Sequence, residues 1–266
     1  MNRRTFERFR ELVYEKSGIS LGDQKEALVS ARVGKRMRAL DIADFDAYFD
    51  YVVRDESGQE LVELIDAIST NVTSFYREAQ HFELLTSLLT KWKESGQRRF
   101  RIWSAASSTG EEPYTIAITV AECLSESGMD VKILATDIST RVLAKCQLGV
   151  YDAQKVENVP ATLRDRYFDR IQENRQTLYC AKDRLKRLLM FRRLNLATPP
   201  FPMRGPLDVV FCRNVMIYFD NQVRSRLLEE IYRLLKPGGY LMVGHAESLT
   251  GLVSAFKTVR PSVYIK

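Results

Sequence analysis

Two adjacent glutamates, Glu111 and Glu112, follow a small-residue segment at the start of a predicted helix. That segment, residues 105–110 (AASSTG), allows close approach of backbone to a ligand at the end of the preceding strand. It has neither the G-x-G-x-x-G spacing of dinucleotide sites nor the Gly-Lys-Ser/Thr ending of a Walker A loop. Paired carboxylates would repel phosphates but suit a cationic ligand, such as a sulfonium that also carries an ammonium group. The alternative is that both carboxylates only favour the helix dipole.

A third carboxylate, Asp137, ends the next predicted strand, 27 residues after Gly110. An acidic residue at the end of the second strand holds ribose hydroxyls in nucleoside-binding α/β folds. Together with the glutamate-bearing turn, Asp137 predicts an adenosine-type cofactor whose binding does not require phosphates.

The elements that must position these carboxylates alternate between strand and helix after residue 99. Apolar runs predict strands at 100–105, 131–136, 207–212 and 240–244. Helical spacing predicts helices at 113–125, from 139 onward and at 221–235, with a turn at 236–239. This alternation predicts an α/β fold with a doubly wound parallel sheet. The final run, 256–265, predicts an antiparallel edge strand.

Two regions depart from the alternation. The first seventy residues show helical periodicity without a strand signal: Phe6, Phe9 and Val13 share one face, and Gly18 ends that helix. Between residues 151 and 190 the sequence is basic and contains short β-like pieces, which predicts a small inserted β-subdomain at about 160–188. We therefore expect a helical domain over 1–72 and a cofactor-binding domain over 73–266.

Charge and cysteine content bound the class of protein. The chain has 40 Lys+Arg and 34 Asp+Glu, a net charge of +6, and residues 1–40 carry ten basic and five acidic side chains. A second basic stretch spans 164–193. Such clusters indicate faces that attract an acidic partner, with solvated helix faces as the alternative. The four cysteines lack paired spacing, which argues against disulfides and zinc. Without an apolar run of about 18–20 residues or a secretion signal, we expect a soluble, cytoplasmic protein.

Seven segments make the sequence resemble the chemotaxis receptor methyltransferase (CheR-type) family along almost its whole length. They are TNVTSFYRE at 70–78, the turn at 103–114, ATD at 135–137, NL at 195–196, FCRNVMIYF at 211–219, LKPGG at 235–239 and GHAES at 244–248. The resemblance implies a Rossmann-like methyltransferase domain with a small N-terminal all-helical domain and the inserted β-subdomain. It also implies a protein-glutamate O-methyltransferase that modifies chemoreceptor cytoplasmic domains in chemotactic adaptation. The products would be glutamate methyl esters and S-adenosylhomocysteine.

The resemblance also implies roles for individual residues. The positions that match S-adenosylmethionine-binding residues of the family are Asn71, Thr73, Arg77, Glu112, Asp137, Asn195, Leu196, Asn214 and Val215. Alignment favours Glu112 over Glu111 as the ligand. Arg77 and Tyr218 match positions proposed to help at the methyl-transfer site. The implied receptor-contact residues are Arg32, Lys35, Arg36 and Arg38.

The implied chemistry suits these residue types. A glutamate carboxylate has an unperturbed pKa of about 4.3, so it is already an anionic nucleophile at neutral pH. Transfer then needs in-line placement rather than a general base. We expect no metal and no catalytic role for either histidine: His81 is predicted on a helix surface and His245 at a strand end lining the cleft.

Two other functions fit the sequence less well. Amino-directed methyltransferases use Asn/Asp-Pro-Pro-Tyr/Phe at the fourth strand, but here the prolines of residues 199–201 (PPF) lie four residues after Asn195, which predicts a loop. The sequence lacks the alternating basic and aromatic residues of a base-stacking platform, so this pattern gives no indication of nucleic acid as a partner. An inactive binding module would lack Arg77, Tyr218 or the glutamate turn, and all are present.

The predicted β-subdomain lacks one feature of some family members. These carry a glycine-containing loop that docks a receptor C-terminal pentapeptide, whereas residues 170–176 (RIQENRQ) contain no glycine. We therefore expect no pentapeptide binding. We also expect a monomer without membrane insertion.

Overall fold

The structure is a computed structural model that describes residues 1–69, 72–124, 128–249, 251–252 and 255–266. Its helices are α1 (Arg3–Ser17), α2 (Glu26–Ala39), α3 (Phe45–Arg54), α4 (Gln59–Ile68), α5 (Gln80–Glu94), α6 (Glu111–Cys123), α7 (Thr140–Leu148), α8 (Ala161–Tyr167), α9 (Asp183–Lys186) and α10 (Asn221–Leu234). Its strands are β1 (Arg99–Ser104), β2 (Asp130–Asp137), β3 (Val150–Asp152), β4 (Phe168–Glu173), β5 (Gln176–Ala181), β6 (Leu189–Arg193), β7 (Leu207–Cys212), β8 (Leu235–Val243), β9 (Lys257–Arg260) and β10 (Val263–Ile265). Short 3₁₀ turns occupy Asp23–Lys25 and Met216–Tyr218.

The N-terminal part consists of helices α1 to α4 around their own core. Helix α1 begins where the Asn2 side chain accepts a hydrogen bond from the Thr5 N–H, and it ends at Gly18, which has φ +72°. Phe6 and Phe9 of α1 pack with Val33 of α2 in this core. The predicted helical character of this region is confirmed, because apolar side chains at helical spacing require a partner surface of the same kind.

The larger sheet has the strand order β6-β2-β1-β7-β8-β10-β9. The first five of these strands pair in parallel, and β10 pairs antiparallel with both β8 and β9. The predicted doubly wound α/β class is confirmed. The final run forms a hairpin rather than one strand, with β9 at the edge of the sheet.

Side chains of the central strands alternate between two cores, one on each face of the sheet. Phe100 and Ile102 of β1 belong to one core, and Trp103 belongs to the other. Strand β7 does the same with Val209 and Val210. Burial of both faces places the polar residues of the parallel strands at the strand ends, where a ligand can reach them.

Two boundaries differ from the sequence-based prediction. Helix α6 begins at Glu111 rather than near Pro113, so both glutamates lie in its first turn. The predicted turn at 236–239 lies inside β8, where the pairing with β7 shifts between Leu207↔Leu235 and Val209↔Tyr240. The extra residues bulge out while Gly238, with φ +74°, still donates a backbone hydrogen bond to Lys266.

The second, three-stranded sheet has the order β3-β5-β4. It includes Val150–Asp152, which lies upstream of the predicted insertion at about 160–188, because β3 pairs antiparallel with β5. Strands β4 and β5 are joined by Asn174 and Arg175, both with positive φ, between the paired residues Glu173 and Gln176. This is the geometry of a tight two-residue hairpin.

Candidate active site

A cleft opens at the carboxyl ends of β1, β2 and β7 and is closed on one side by the N-terminal helical part. It encloses about 900 Å³ of space, some of it open to solvent. Predicted site residues that line it are Thr73, Arg77, Glu112, Asp137, Asn195, Leu196, Asn214, Val215 and Tyr218. Asn71 lies outside the described residues. Segments widely separated in the sequence therefore meet at the sheet edge where α/β folds bind ligands.

The β1–α6 turn forms one wall of the cleft. Gly110 has φ +101°, and a Cβ there would collide with the Tyr151 hydroxyl, so only glycine fits without displacing its neighbours. Ser108, also at positive φ, donates its backbone N–H to Asp137 at 2.9 Å. The Ser108 hydroxyl is buried and has no hydrogen-bond partner among the described residues. A buried hydroxyl without a partner in the cleft wall can form a hydrogen bond with a polar ligand.

Glu112 is the carboxylate of the first helical turn that faces the cleft. It is 8% exposed, accepts a hydrogen bond from the Ser104 hydroxyl at 2.7 Å and pairs with Arg213 at 2.9 Å. Burial raises the pKa of Glu112, and the Arg213 charge opposes this rise. Glu111 instead pairs with Lys155 and accepts from the Thr109 hydroxyl outside the cleft lining. The two adjacent glutamates therefore have different environments.

Arg213 is a site residue that sequence reasoning missed. It is 5% exposed and pairs with Glu78 at 3.0 Å as well as with Glu112. It also donates to the backbone carbonyl of Arg77. One guanidinium thus connects the segment after α4, the first turn of α6 and the end of β7. Its place inside the FCRN run was a usable signal, because arginine directly after a wholly buried strand needs an acidic partner.

Asp137 ends β2 and carries its carboxylate at the cleft. Its two oxygens accept backbone hydrogen bonds from Ser108 at 2.9 Å and from Ser139 at 3.0 Å. Burial nevertheless raises the pKa of Asp137 to about 6, and these hydrogen bonds oppose the rise. Asp137 is thus anionic at neutral pH and remains able to accept further hydrogen bonds from a ligand.

The end of β7 is held in shape by Glu247, a second residue that sequence reasoning missed. Its carboxylate accepts backbone hydrogen bonds from Asn214 and Gly244 at 2.7 Å each, and from Ile217 at 3.3 Å. Asn214 has φ +56°, and its amide packs where a Cβ on Gly244 would lie. Asparagine tolerates this backbone region better than most residues. The strained segment presents Asn214 and Val215 to the cleft.

The N-terminal part contacts the segment that carries Tyr218. The Ser20 N–H donates to the Tyr218 carbonyl at 2.8 Å, and Ile19 forms a β-bridge with Phe219. The Tyr14 hydroxyl donates to Asp220 at 2.7 Å. Ser17 and Ile19 line the cleft themselves. The helical part is therefore a structural component of the site.

The side chains of Arg77 and Asn195 are held at the cleft by backbone carbonyls. Arg77 donates from Nη1 to the Val72 carbonyl at 2.8 Å. Asn195 donates its amide to the Lys16 carbonyl at 3.0 Å. Both contacts leave each side chain with further donor capacity for a ligand.

The four basic residues of α2 lie away from the cleft and differ from one another. Arg32 donates to carbonyls at the end of α4, including that of Ser69 at 3.0 Å. Arg36 forms a bidentate pair with the buried Glu60. Lys35 and Arg38 are exposed. Two of the four are therefore engaged in holding α2 against α4.

The positions of the two histidines differ in part from the prediction. His81 is 1% exposed rather than on a helix surface, because the first turn of α5 faces Glu78 and Arg213 at the sheet edge. His245 follows β8 as predicted but is exposed and does not line the cleft. Residues 199–201 form a loop, as predicted, with Phe201 buried in the core.

The cleft contains polar groups that fit S-adenosylmethionine. A buried carboxylate, Glu112, fits an ammonium group, and Asp137 fits a pair of hydroxyls. The unpartnered Ser108 hydroxyl lies in the same wall.

Within the described residues, no helix is long and apolar enough to cross a bilayer.

Comparisons with known proteins point to one family. Residues 71–265 match the family model described as "CheR methyltransferase, SAM binding domain", and residues 4–69 match "CheR methyltransferase, all-alpha domain". The chain is similar to chemotaxis protein methyltransferase 2 of Pseudomonas aeruginosa, at 40% identity over 98% of this chain and 92% of that protein. It is also similar to the chemotaxis protein methyltransferase of Escherichia coli, at 38% identity over 97% and 89% of the two chains.

Proposed function

The chain belongs to the CheR methyltransferase family, and from that membership we propose that it methylates glutamate side chains of chemoreceptor cytoplasmic domains. S-adenosylmethionine supplies an electrophilic methyl group on a sulfonium centre. The observation that carries the proposal is the arrangement of Glu112, Asp137, Arg77 and Tyr218 in one cleft. The products are a glutamate methyl ester and S-adenosylhomocysteine.

We assign the binding of S-adenosylmethionine to residues from five segments that meet at the cleft. Glu112 binds the ammonium group through a carboxylate oxygen, and the paired Arg213 charge opposes the rise in pKa that burial causes. Asp137 accepts hydrogen bonds from the ribose hydroxyls. The remaining contacts are assigned to Asn71, Thr73, Arg77, Asn195, Leu196, Asn214 and Val215, of which Asn71 lies outside the described residues.

Arg77 and Tyr218 are the proposed catalytic residues. A guanidinium and a phenol both donate hydrogen bonds to a carboxylate, and neither needs to accept a proton from it. The incoming glutamate is already anionic, so these two side chains orient one of its oxygens toward the methyl group. Because Ser20 and Ile19 fix the backbone around Tyr218, the N-terminal part contributes to this orientation.

We propose the exposed end of α2 as the receptor-contact surface. Lys35 and Arg38 are available to an acidic receptor helix. Arg32 and Arg36 act mainly inside the protein, because carbonyls of α4 and the Glu60 carboxylate already engage them. Methylation removes negative charge from the receptor, so the product should bind this surface more weakly than the substrate.

The remaining assignments rest on the same membership. We propose a helical receptor-contact domain at 1–72 and a catalytic domain at 73–266 with an inserted β-subdomain. We also propose a cytoplasmic monomer that binds neither nucleic acid nor a receptor pentapeptide and uses no metal in methyl transfer. The tight Asn174–Arg175 hairpin contains no glycine, which supports the proposal that no receptor pentapeptide is bound. Calorimetric titration of the isolated peptide tests it, and micromolar binding would overturn it.

The proposed reaction is tested with tritiated S-adenosylmethionine and a panel of chemoreceptor cytoplasmic fragments. We expect base-labile label on at least one receptor fragment with the wild-type chain. The Arg77→Ala variant should lose this label. Lys91→Ala should keep it, because Lys91 is exposed near the end of α5 that leads into the start of β1, away from the cleft. Cofactor binding without transfer to any receptor would contradict the proposed substrate.

A further inference from the structure

The two histidines of the chain, His81 and His245, meet beside Glu78 although 164 residues separate them. Their ring centroids lie 5.6 Å apart in an edge-to-face arrangement. One ligand atom from each histidine and a carboxylate oxygen of Glu78 all lie within 4.8 Å of one another. Methyl transfer as proposed above uses none of these three side chains.

His81 is the buried member of this cluster and has an unpaired ring atom. It is 1% exposed, and its Nδ1 has no hydrogen-bond partner in the described part of the chain. The nearest carboxylate oxygen, Oε2 of Glu78, is 3.6 Å away, which is too long for a hydrogen bond. Leaving such a buried atom unpaired destabilises the protein, so this position favours a ligand between the ring and the carboxylate.

The ligand types and the charge of the cluster also suit a metal ion. An imidazole whose ring nitrogen is unpaired can offer that nitrogen to a metal. Glu78 supplies a negative charge, because the nearby Arg213 and the His245 backbone N–H stabilise its carboxylate.

We propose that Glu78, His81 and His245 bind a borderline transition-metal ion such as Zn²⁺. Two imidazole nitrogens and one carboxylate oxygen are protein ligands that such ions accept, with water completing the coordination. The ligand atoms must close to about 2.0–2.2 Å from the ion. His245 is exposed after the end of β8, so its ring can turn toward the other two ligands.

The ion would affect cofactor binding through Glu78. The Glu78 carboxylate pairs with Arg213, whose guanidinium also pairs with Glu112 in the cleft. An ion that takes up charge on Glu78 weakens this anchor of Arg213 and hence the position of Glu112. The site is therefore inhibitory. Because Arg213 and Arg260 add positive charge nearby, we expect micromolar rather than tighter affinity for the ion.

The binding test is a titration of zinc sulfate into the full chain, labelled with ¹⁵N in histidine. Because the chain has two histidines, each imidazole gives its own assignable nuclear magnetic resonance signals. We expect both sets to shift together and saturate at one equivalent of zinc. His245→Gln should weaken binding by about tenfold or more. Replacing the partly exposed thiols, Cys123→Ser with Cys180→Ser, should leave binding unchanged.

Three results would overturn the site. They are shifts confined to His245, undiminished affinity in His245→Gln, and loss of binding in the cysteine variant. The coupling is tested separately by calorimetry with S-adenosylhomocysteine, which should bind about fivefold or more weakly at saturating zinc. The same cofactor affinity in the presence and absence of zinc would overturn the coupling. These readouts do not use a receptor, so their outcome is independent of the proposed methyl acceptor.

Discussion

At the residue scale, Arg213 shows how a buried cation organises carboxylates that come from distant segments. Its contacts reach Glu78, Glu112 and the Arg77 carbonyl, so the position of three segments depends on one side chain. Sequence singled out Glu111 and Glu112, because two glutamates beside a small-residue turn are recognisable locally, and the family resemblance favoured Glu112 as the ligand. It did not predict Arg213, since the partners that justify a buried arginine lie 135 and 101 residues away.

Removing this cation should be costly. In Arg213→Ala, the buried Glu112 loses its charge partner, which for a buried ion pair costs about 3–5 kcal/mol in the free energy of unfolding. We also expect weaker S-adenosylhomocysteine binding, because a protonated Glu112 cannot pair with an ammonium group. Chemical denaturation and calorimetry measure the two effects. Arg213→Lys keeps the charge and should recover part of both, and an Arg213→Ala variant as stable as wild type would contradict the assigned role.

The pKa of Asp137 makes cofactor affinity depend on pH. Burial raises this pKa to about 6, so the carboxylate gains a proton as the pH falls through that value and loses acceptor capacity. Below it, the apparent dissociation constant of S-adenosylhomocysteine should rise toward about tenfold per pH unit. Calorimetry between pH 5 and 8, about one to two units either side of the pKa, measures this.

Asp137→Asn isolates that contribution. The variant should bind more weakly at neutral pH and should lose the part of the pH dependence that belongs to Asp137. The pKa of Glu112 is raised too, so the wild-type profile contains both groups, and the difference between the two profiles isolates Asp137. Identical profiles would show that Asp137 does not bind the cofactor.

At the element scale, the β1–α6 turn is the feature that sequence predicted best. Small residues, one glycine and two glutamates identified it, and the structure adds that Gly110 lies against the Tyr151 hydroxyl. The bulge inside β8 was predicted as a turn, because Lys-Pro-Gly-Gly is also a turn sequence and only pairing with β7 and β10 keeps it in the sheet. The local sequence therefore predicted the β1–α6 turn more accurately than it predicted where β8 begins.

The crowding at Gly110 can be separated from its backbone strain. Gly96 has a similar φ of +89°, but a Cβ there would meet nothing within 4 Å. Gly96→Ala should therefore cost only the left-handed backbone penalty of about 1–2 kcal/mol. Gly110→Ala should cost more in the free energy of unfolding and should also weaken S-adenosylhomocysteine binding. Equal losses in the two variants would contradict a role for close packing in shaping the turn.

At the scale of the whole molecule, the N-terminal helical part both borders the cleft and carries the exposed basic residues Lys35 and Arg38 on α2. Sequence predicted its helices and the excess of basic residues over positions 1–40. It could not tell exposed arginines from engaged ones, because Arg36 pairs with Glu60 of a different helix. The same limit applies to His81, whose burial follows from where the first turn of α5 packs.

The proposed receptor-contact surface predicts an effect on substrate and not on cofactor. Lys35→Glu combined with Arg38→Glu should raise the KM for a chemoreceptor fragment and reduce its salt dependence, because the reversed charges repel an acidic helix. Cofactor affinity should be unchanged. Lys91→Glu is a single-reversal control, since this exposed residue lies near the end of α5 that leads into the start of β1, away from the carboxyl ends of the strands. An equal effect of both charge reversals would contradict docking at α2.

Identifying the atom that accepts the methyl group is the most direct test of the central claim. A chemoreceptor fragment incubated with the chain and S-adenosylmethionine would be digested and its modified residues mapped by tandem mass spectrometry. We predict methyl groups on glutamate side-chain oxygens, removed by mild base and missing when Arg77→Ala replaces the wild-type chain. Base-stable methyl groups on nitrogen, or methylation at residues other than glutamate, would contradict the assignment as a glutamate O-methyltransferase.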